Sequence, residues 1–419
     1  MTAGVHRHRP RTPDAPDVLG RWLRGRAPLP LLGAALLVFA LDVARVLAGA
    51  RTGIDNAVVV RAARTLLDGG SPYADKRFLY LPGAAFAAVP QTFLGDRVLF
   101  WAVPVATALC GLAGVVAALR VFGVRADSRL AAAMVAGLGL FEPFHGLVYL
   151  GNWTVLSALA FPVTLLLARR GRWSAAGVVT GAAVALKPML VPVLLLFVLA
   201  RRWRALAWAV GVPAAVSLAA AAAVPRPGRF LTRTLPFILH GQDAYARPFD
   251  ASWSTVLPRL GVPQPLAFTL AAAAALTVLA LARVRWRAGG DEAVRLVECA
   301  SLLMLAAFLA SRPSFQHYML VVLPSLVASS VVRGTAVRSV WFWLPLLPEL
   351  TAVRWPYLDS ARRHAFRDIV MITGVAAAIA VRAWRDRVRP GQDVTVSGHV
   401  YSFRSDLEAR KRADRSGTG

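Results

Sequence analysis

Lysine and cysteine are scarce in this chain. Its 419 residues include three lysines, at positions 76, 187 and 411, and two cysteines, Cys110 and Cys299. Both cysteines lie in apolar runs without a Cys-x-x-Cys spacing, which excludes a disulfide framework and a cysteine-based metal site. The sequence also lacks an Asp-x-Asp pair and a glycine-rich nucleotide-binding motif. We therefore expect no metal ion and no other cofactor.

Acidic residues are also few, 22 against 48 lysines and arginines, which gives a net charge of +26. The arginines form short clusters between apolar runs, as the positive-inside rule predicts for membrane proteins. Since that rule accounts for the charge, nucleic acid is not an expected partner. The chain is 57% hydrophobic, and its apolar runs exceed the roughly 20 residues that cross a bilayer. These features predict an all-α, polytopic transmembrane helical bundle.

The arginine clusters predict the topology. If every cluster lies in the cytoplasm, residues 80–94 must dip into the membrane and return, and residues 173–200 must do the same with a break at Lys187-Pro188. Both termini are then cytoplasmic. About ten full crossings remain, at residues 29–47, 97–121, 130–150, 153–168, 205–224, 264–282, 295–311, 315–332, 339–353 and 366–383.

The two ends of the chain differ in composition from its apolar middle. Residues 1–27, rich in arginine and proline, predict a disordered cytoplasmic tail, and residues 386–419 predict a charged cytoplasmic tail. A transmembrane domain spans residues 28–385 between them. Its main segments on the outer face are predicted at 51–78, 225–252 and 354–365.

Asp55 opens the first of these outer segments. The apolar residues after it recur at helical spacing, which predicts an amphipathic helix along the membrane surface. A carboxylate at the start of that helix, facing an aqueous cavity, could take a proton from a hydroxyl. Asp is also a preferred N-cap residue, so Asp55 is either a general base or a helix cap.

Lys187 lies within an apolar segment. Placing an ammonium in hydrocarbon costs about 3 kcal/mol on insertion scales unless an anion or a polar cavity meets it. A phosphate is the obvious anion for such a site. The alternative is a structural lysine that snorkels to the interface or pairs with a buried carboxylate such as Glu142 or Glu298.

Further candidates lie in three outward segments. Arg233 in a short amphipathic helix suits a lipid phosphate, and the Trp253 ring suits a sugar, although both residue types are ordinary at membrane interfaces. Gln316 and His317 open a span from the outer side, where a histidine donates to an anion or serves structurally. Asn152 at an outward turn binds a sugar hydroxyl or belongs to a glycosylation sequon, Asn-Trp-Thr.

The order of these features resembles the integral-membrane glycosyltransferases of the C fold, family 87, and most closely the actinobacterial branching arabinofuranosyltransferases. The Thr-Arg-Thr-Leu-Pro stretch is the most specific. The resemblance covers roughly residues 50 to 330 and is carried by Asp55, Arg61-Ala62, Phe78-Leu-Tyr80-Leu-Pro82-Gly83, Leu186-Lys187-Pro188, Arg202-Trp203-Arg204-Ala205-Leu206, Phe230-Leu-Thr-Arg233-Thr-Leu-Pro236-Phe-Ile-Leu239 and His317-Tyr318-Met-Leu with Pro324.

This resemblance implies an inverting transferase that takes arabinofuranose from a polyprenyl (decaprenyl) phosphate and gives it to a cell-wall glycan such as arabinan. Asp55 matches the family's catalytic base, which acts on the outer face of the plasma membrane. Tyr80 joins the predicted substrate-binding residues. The family usually has Tyr-Pro-Pro where this chain has Leu81 and Pro82, and often a second Asp where it has Ile54. Both departures bear on how the donor is positioned and on which acceptor is used, and not on the class of reaction.

Three other functions remain compatible with the sequence. The same scaffold serves mannosyltransferases that use polyprenyl-phosphate mannose. A lipid or glycan transporter would also have many spans, surface helices and an intramembrane lysine. The third alternative is an inactive scaffold subunit of a cell-envelope complex.

Overall fold

The computed structural model describes residues 17–240, 247–351, 355–360 and 363–388. These residues form α-helices joined by short 3₁₀ and π turns, without a β-strand. Residues 1–16 and 389–419, which contain most of both predicted tails, lie outside the described residues. The α-helices are α1 (Val18–Arg24), α2 (Leu29–Leu47), α3 (Ile54–Leu67), α4 (Pro82–Thr92), α5 (Asp96–Val121), α6 (Arg129–Gly139), α7 (Glu142–Leu150), α8 (Thr154–Arg169), α9 (Trp173–Leu186), α10 (Leu194–Leu199), α11 (Trp203–Ala223), α12 (Leu235–His240), α13 (Trp253–Arg259), α14 (Gln264–Arg287), α15 (Glu292–Ala310), α16 (Leu323–Ala328), α17 (Val340–Trp343) and α18 (His364–Val388).

Six of the described helices, α2, α5, α11, α14, α15 and α18, are long and apolar enough to cross a membrane. Their burial differs widely: 17% of the most apolar stretch of α11 is buried, against 83% of that of α15. Such differences are expected when some helices face lipid and one lies at the centre of a bundle. The predicted polytopic helical bundle is confirmed, and the protein is a multi-pass membrane protein.

Three of the predicted crossings are interrupted in the structure. Residues 130–150 form α6 and α7, and residues 315–332 and the described part of 339–353, which ends at residue 351, form short helices and 3₁₀ turns. Prolines near each break remove backbone donors and prevent a continuous helix. The freed backbone groups pair with one another, since Phe141 and Leu350 form a β-bridge and the Thr351 amide donates to the Leu140 carbonyl at 2.9 Å. The number of ten full crossings is therefore not confirmed.

The break at Lys187-Pro188 is confirmed. Helix α9 ends at Leu186, and Lys187 is extended, with φ −141° and ψ 120°. A 3₁₀ turn over Pro188–Val193 and helix α10 then lead the chain back toward its starting point. Helix α4, the predicted dip, has 11 residues, about 17 Å, whereas a hydrocarbon core is about 30 Å thick.

Contacts between loops define the two ends of the bundle. At one end the rings of Tyr73 and Phe230 lie 5.4 Å apart, and those of Phe249 and His364 lie 5.9 Å apart. These contacts join the three segments predicted on the outer face. At the other end the Arg129 amide donates to the Gly25 carbonyl at 2.9 Å, which brings two arginine clusters together.

Residues 17–27 differ from the predicted disordered tail. They include α1, whose cap Asp17 accepts from the Gly20 amide at 3.1 Å. Both Asp17 oxygens also accept from Arg338 at 2.8 Å. A bidentate ion pair with a distant loop holds this segment in place, a contact that composition does not reveal.

Helix α15 contributes Glu298 to buried ionic contacts with two neighbouring helices. Glu298 accepts from Arg285 of α14 at 2.5 Å and lies 3.5 Å from Arg382 of α18. Isolated buried charges are costly, so the partners of Glu298 hold three long helices in register. Glu298 is not a partner of Lys187.

Candidate active site

Asp55 lies in the first turn of α3, close to the C-terminal end of α7. The N-cap of α3 is Gly53, in the left-handed conformation with φ 70°, and no side chain caps the helix. The capping interpretation of Asp55 is therefore wrong. The half-buried carboxylate instead accepts a 2.5 Å hydrogen bond from the side-chain amide of Asn152.

Asn152 joins Asp55 to Lys187. Its nitrogen donates to Asp55, and its oxygen accepts from the Lys187 ammonium at 2.7 Å. The same oxygen also accepts from the amide and hydroxyl of Thr154, at 2.8 and 2.7 Å. Because Asn152 is buried and bonded at both ends of its amide, it is not an exposed glycosylation acceptor.

The Lys187 ammonium is bound by neutral groups. It donates to Asn152 and, at 2.7 Å, to the Thr154 hydroxyl. An ammonium has three donors, and among the described residues the third has no protein acceptor. Lys187 makes no ion pair within these residues, so the alternative pairing with Glu142 or Glu298 is wrong. The unused donor of this half-buried lysine suits an anion.

Aromatic side chains surround this ammonium. It lies 5.6 Å from the centroid of the Tyr80 ring and 5.3 Å from that of Tyr318. His317 is buried, its ring contacts Tyr318 at 5.1 Å, and its Nε2 has no partner among the described residues. The rings stabilise the cation by cation–π contacts without neutralising it. The Nε2 of His317 is a buried polar atom without a hydrogen-bond partner among the described residues.

Two glycines set the position of α3 against α7. Gly151 ends α7 in the left-handed conformation, φ 59°, and the Gly53 amide donates to the Tyr149 carbonyl at 2.8 Å. A Cβ at Gly151 would lie 3.1 Å from the Gly53 Cα and would collide with Val103. The close contact of two residues without side chains brings Asp55 within reach of Asn152.

The surroundings of Asp55 act on its proton affinity in opposite directions. Burial raises the pKa of the carboxyl above its ordinary value of 3.8, whereas the Asn152 hydrogen bond and the Lys187 charge lower it. The balance is a raised pKa. A carboxylate with a raised pKa is a stronger base than an exposed one.

The structure therefore brings together five predicted site residues, namely Asp55, Asn152, Lys187, Tyr80 and His317. Gln316 directly precedes His317 in the sequence, but its side chain accepts a hydrogen bond from Arg367 of α18 at 3.3 Å. Trp253 donates its indole N–H to Thr373 at 2.9 Å. Arg233 is exposed on the π-helical turn Phe230–Thr234. Among the described residues, no contact places Gln316, Trp253 or Arg233 beside Asp55.

Sequence reasoning missed two members of the site. Thr154 was seen only as part of a sequon, and Tyr318 only as a neighbour of His317. Thr154 could have been recognised from its position two residues after an outward asparagine. A hydroxyl at that position can hydrogen-bond to the asparagine side chain. Tyr318 belongs to the His317-Tyr318 motif that carries the resemblance, but no role in the site was predicted for it, because an aromatic residue at a membrane interface is ordinary. Among the described residues no group of histidines, cysteines and carboxylates could hold a metal ion.

Comparison with known proteins identifies the family. The model of glycosyltransferase family 87 matches residues 78–313, which include Asn152 and Lys187 and begin after Asp55. An "Alpha-(1->3)-arabinofuranosyltransferase" of Mycobacterium tuberculosis is 30% identical over 316 residues, covering 72% of this chain and 70% of the relative. A protein of the same name from Mycolicibacterium smegmatis is 27% identical over 295 residues, covering 68% and 66%.

No solved structure matches the chain significantly. The family model nevertheless extends over more than half of the sequence, and the relatives align with about 70% of it. The resemblance inferred from the motifs is thus confirmed. The protein is a membrane glycosyltransferase, and its chain belongs to glycosyltransferase family 87.

Proposed function

We propose that this glycosyltransferase moves arabinofuranose from a polyprenyl phosphate, such as decaprenyl phosphate, to a hydroxyl of a cell-wall glycan, with inversion at the anomeric carbon. The reaction takes place at the extracytoplasmic face, next to Asp55. The observation that carries the proposal is the set Asp55, Asn152 and Lys187, in which one amide links a base to an available cation. Neither a metal nor another cofactor takes part.

The proposed chemistry is a direct displacement. The Asp55 carboxylate removes the proton of the acceptor hydroxyl while the hydroxyl oxygen attacks the anomeric carbon. The bond from that carbon to the phosphate oxygen breaks, and polyprenyl phosphate leaves with the electron pair. Lys187 donates to the phosphate, whose negative charge grows as the bond breaks, and so stabilises the transition state.

Neighbouring residues have proposed roles in binding. Asn152 orients the base and the cation, the ring of Tyr80 stacks on the sugar, and the free Nε2 of His317 binds a sugar or phosphate oxygen. Gln316, Arg233 and Trp253 would contact outer parts of the donor or acceptor, such as the lipid phosphate or a distant glycan unit.

Arabinose as the donor sugar is supported by the relatives, whose name describes an arabinofuranosyltransferase. A polyprenyl carrier is supported by the setting of the site in a helical membrane bundle, where a lipid-linked sugar reaches Lys187 from the bilayer. An enzyme that uses a lipid-linked donor needs no nucleotide-binding motif, and the sequence lacks one.

The test is a transfer assay with the purified, lipid-reconstituted protein. Decaprenyl-phosphate arabinofuranose and polyprenyl-phosphate mannose are each supplied with a short arabinan acceptor, and products are analysed by mass spectrometry and NMR. The proposal expects an arabinosylated product from the first donor only. Transfer of mannose alone would identify a mannosyltransferase, and absence of transfer from both donors would favour a transporter or a scaffold subunit.

A further inference from the structure

A basic cavity of about 600 Å³ lies at the end of the bundle where α9 and α11 begin. Among the described residues none of its arginines forms an ion pair with a carboxylate. A concave site with several cations and no internal counter-charge attracts an anion. Its charged and aromatic lining residues are Arg172, Trp173, Arg201, Arg202, Trp203 and Arg204.

Helices α9 and α11 run parallel, so both of their N-termini face this cavity. Gly177, in the second turn of α9, packs against the Ala205 backbone near the start of α11, and Gly181, one turn later, packs against Trp208. This close contact holds the two first turns side by side. Helix packing therefore holds the backbone of the cavity in place, and its arginine side chains are exposed.

Neither helix N-terminus has a side-chain cap. The N-cap residues are Arg172 and Arg202, whose side chains accept no hydrogen bond from the first-turn amides. The first-turn amides thus add their donors to the guanidinium groups at the same cavity. Arg202 also lies over the Trp173 ring at 5.1 Å, which fixes its guanidinium plane at the rim.

The surface next to the cavity is apolar and exposed. Trp203 and Trp208 of α11 are 61% and 52% exposed, and Leu195 of α10 is 43% exposed. In a membrane protein such a surface contacts acyl chains. A ligand for the whole feature therefore has an anionic head and an apolar tail.

We propose that this cavity binds the phosphate headgroup of an anionic phospholipid, whose acyl chains lie along α10 and α11. The 14 residues of α9 separate the cavity from Lys187 by about 20 Å. The lipid site is thus distinct from the proposed transfer site and independent of the function proposed there.

The experiment measures the melting temperature of the full-length protein in detergent micelles with added lipid. Dioleoyl phosphatidylglycerol is compared with dioleoyl phosphatidylcholine and with soluble glycerol phosphate. The cavity variant is Arg172→Gln with Arg202→Gln. The matched control is Arg283→Gln with Arg287→Gln, which removes the same charge from exposed arginines at the end of α14.

We expect phosphatidylglycerol to raise the melting temperature of the unmodified protein and of the control by about 3 °C or more. We expect the cavity variant to lose most of that shift, and the other two ligands to give little. An equal shift in the cavity variant, or equal shifts with phosphatidylcholine or glycerol phosphate, would overturn the proposal. If the double variant does not fold, Arg204→Gln carries the same expectation with a smaller loss.

Discussion

At the scale of single residues, Asp55 provides the sharpest test of the mechanism. Asn at position 55 keeps an oxygen that accepts from Asn152 but cannot take a proton. We therefore expect Asp55→Asn to fold normally and to lose activity by about 100-fold to 10,000-fold, the usual effect of a missing general base. Initial rates of sugar transfer, measured beside the melting temperature, provide the check.

The matched control for this variant is Asp68→Asn, which removes the same charge from the exposed C-terminal end of α3. It should retain near-normal rates. Substantial turnover by a folded Asp55→Asn protein would mean that another group is the base, with His317 the first candidate.

The pH dependence of transfer follows from the raised pKa of Asp55. The base acts only when deprotonated, so activity should fall as the pH drops through a pKa above 3.8. Asn152→Ala removes a hydrogen bond that lowers this pKa and should move the acid limb to higher pH. Profiles of kcat/KM against pH would show the shift. An unchanged acid limb in the variant would show that Asn152 does not affect the pKa of the group that limits activity.

Lys187 is expected to contribute to donor binding in addition to stabilising the leaving phosphate. Its removal leaves neutral partners, Asn152 and Thr154, so Lys187→Met should remain folded. A hydrogen bond from a charged donor contributes about 1.5–3 kcal/mol, which predicts a weakening of donor binding by roughly 10-fold to 150-fold. Donor saturation curves test this, with Lys76→Met as the control lysine. Normal saturation by Lys187→Met would assign the lysine a structural role.

Sequence analysis recovered the charged members of the site because charge is rare in apolar segments. Lys187 stood out for that reason, Asp55 as a carboxylate at the start of an outward amphipathic helix, and Asn152 for its place in an outward turn. Arg233 and Trp253 had equally reasonable chemistry, but sequence order does not show which outer loop approaches which helix end. Tyr318 was missed because its role depends on the distance to Lys187, which only the fold determines.

At the scale of helices, Gly151 controls how α7 meets α3. A Cβ there would collide with Val103 and approach Gly53, so Gly151→Ala should displace Asp55 from Asn152. Gly123 provides a matched control, because it has a similar φ of 64° and open space around it. Either alanine should cost about 1–2 kcal/mol through its left-handed conformation.

Only Gly151→Ala should also lower the transfer rate, since small displacements of a catalytic group cost about 100-fold. Thermal unfolding and single-turnover rates distinguish the two variants. Equal activities of Gly151→Ala and Gly123→Ala would show that the contact between α7 and α3 does not position the base.

Predicted helices were most accurate for the long apolar runs of α2 and α5, although α5 contains Pro104. Helices α2 and α5 begin and end within a residue or two of their predicted spans. Residues 315–332 and 339–353 were predicted as continuous spans because their hydrophobicity is high. Their prolines and the pairing of interrupted backbone groups produce 3₁₀ turns instead. Hydrophobicity reports burial or lipid contact and cannot alone distinguish a straight helix from a broken one.

At the scale of the whole molecule, the two ends of the bundle should face opposite aqueous phases. We expect a cysteine at position 68, in the first outer segment, to react with an impermeant maleimide on intact cells. A cysteine at Gly289, in the arginine-rich loop after α14, should react only after permeabilisation. A protein without Cys110 and Cys299 provides the background. Labelling of position 68 from the cytoplasm alone would show that the orientation in the membrane is opposite to the predicted one.

The amide of Asn152 acts as a spacer between two opposite charges. A carboxylate and an ammonium in direct contact would neutralise each other, and a substrate would have to separate them first. With the spacer in place the empty site keeps an electric polarity, positive at Lys187 and negative at Asp55. The proposed donor and acceptor have the complementary polarity, with phosphate at one pole and a hydroxyl proton at the other. In the proposed mechanism the site is thus organised before its substrates arrive, and little reorientation of protein dipoles accompanies the reaction.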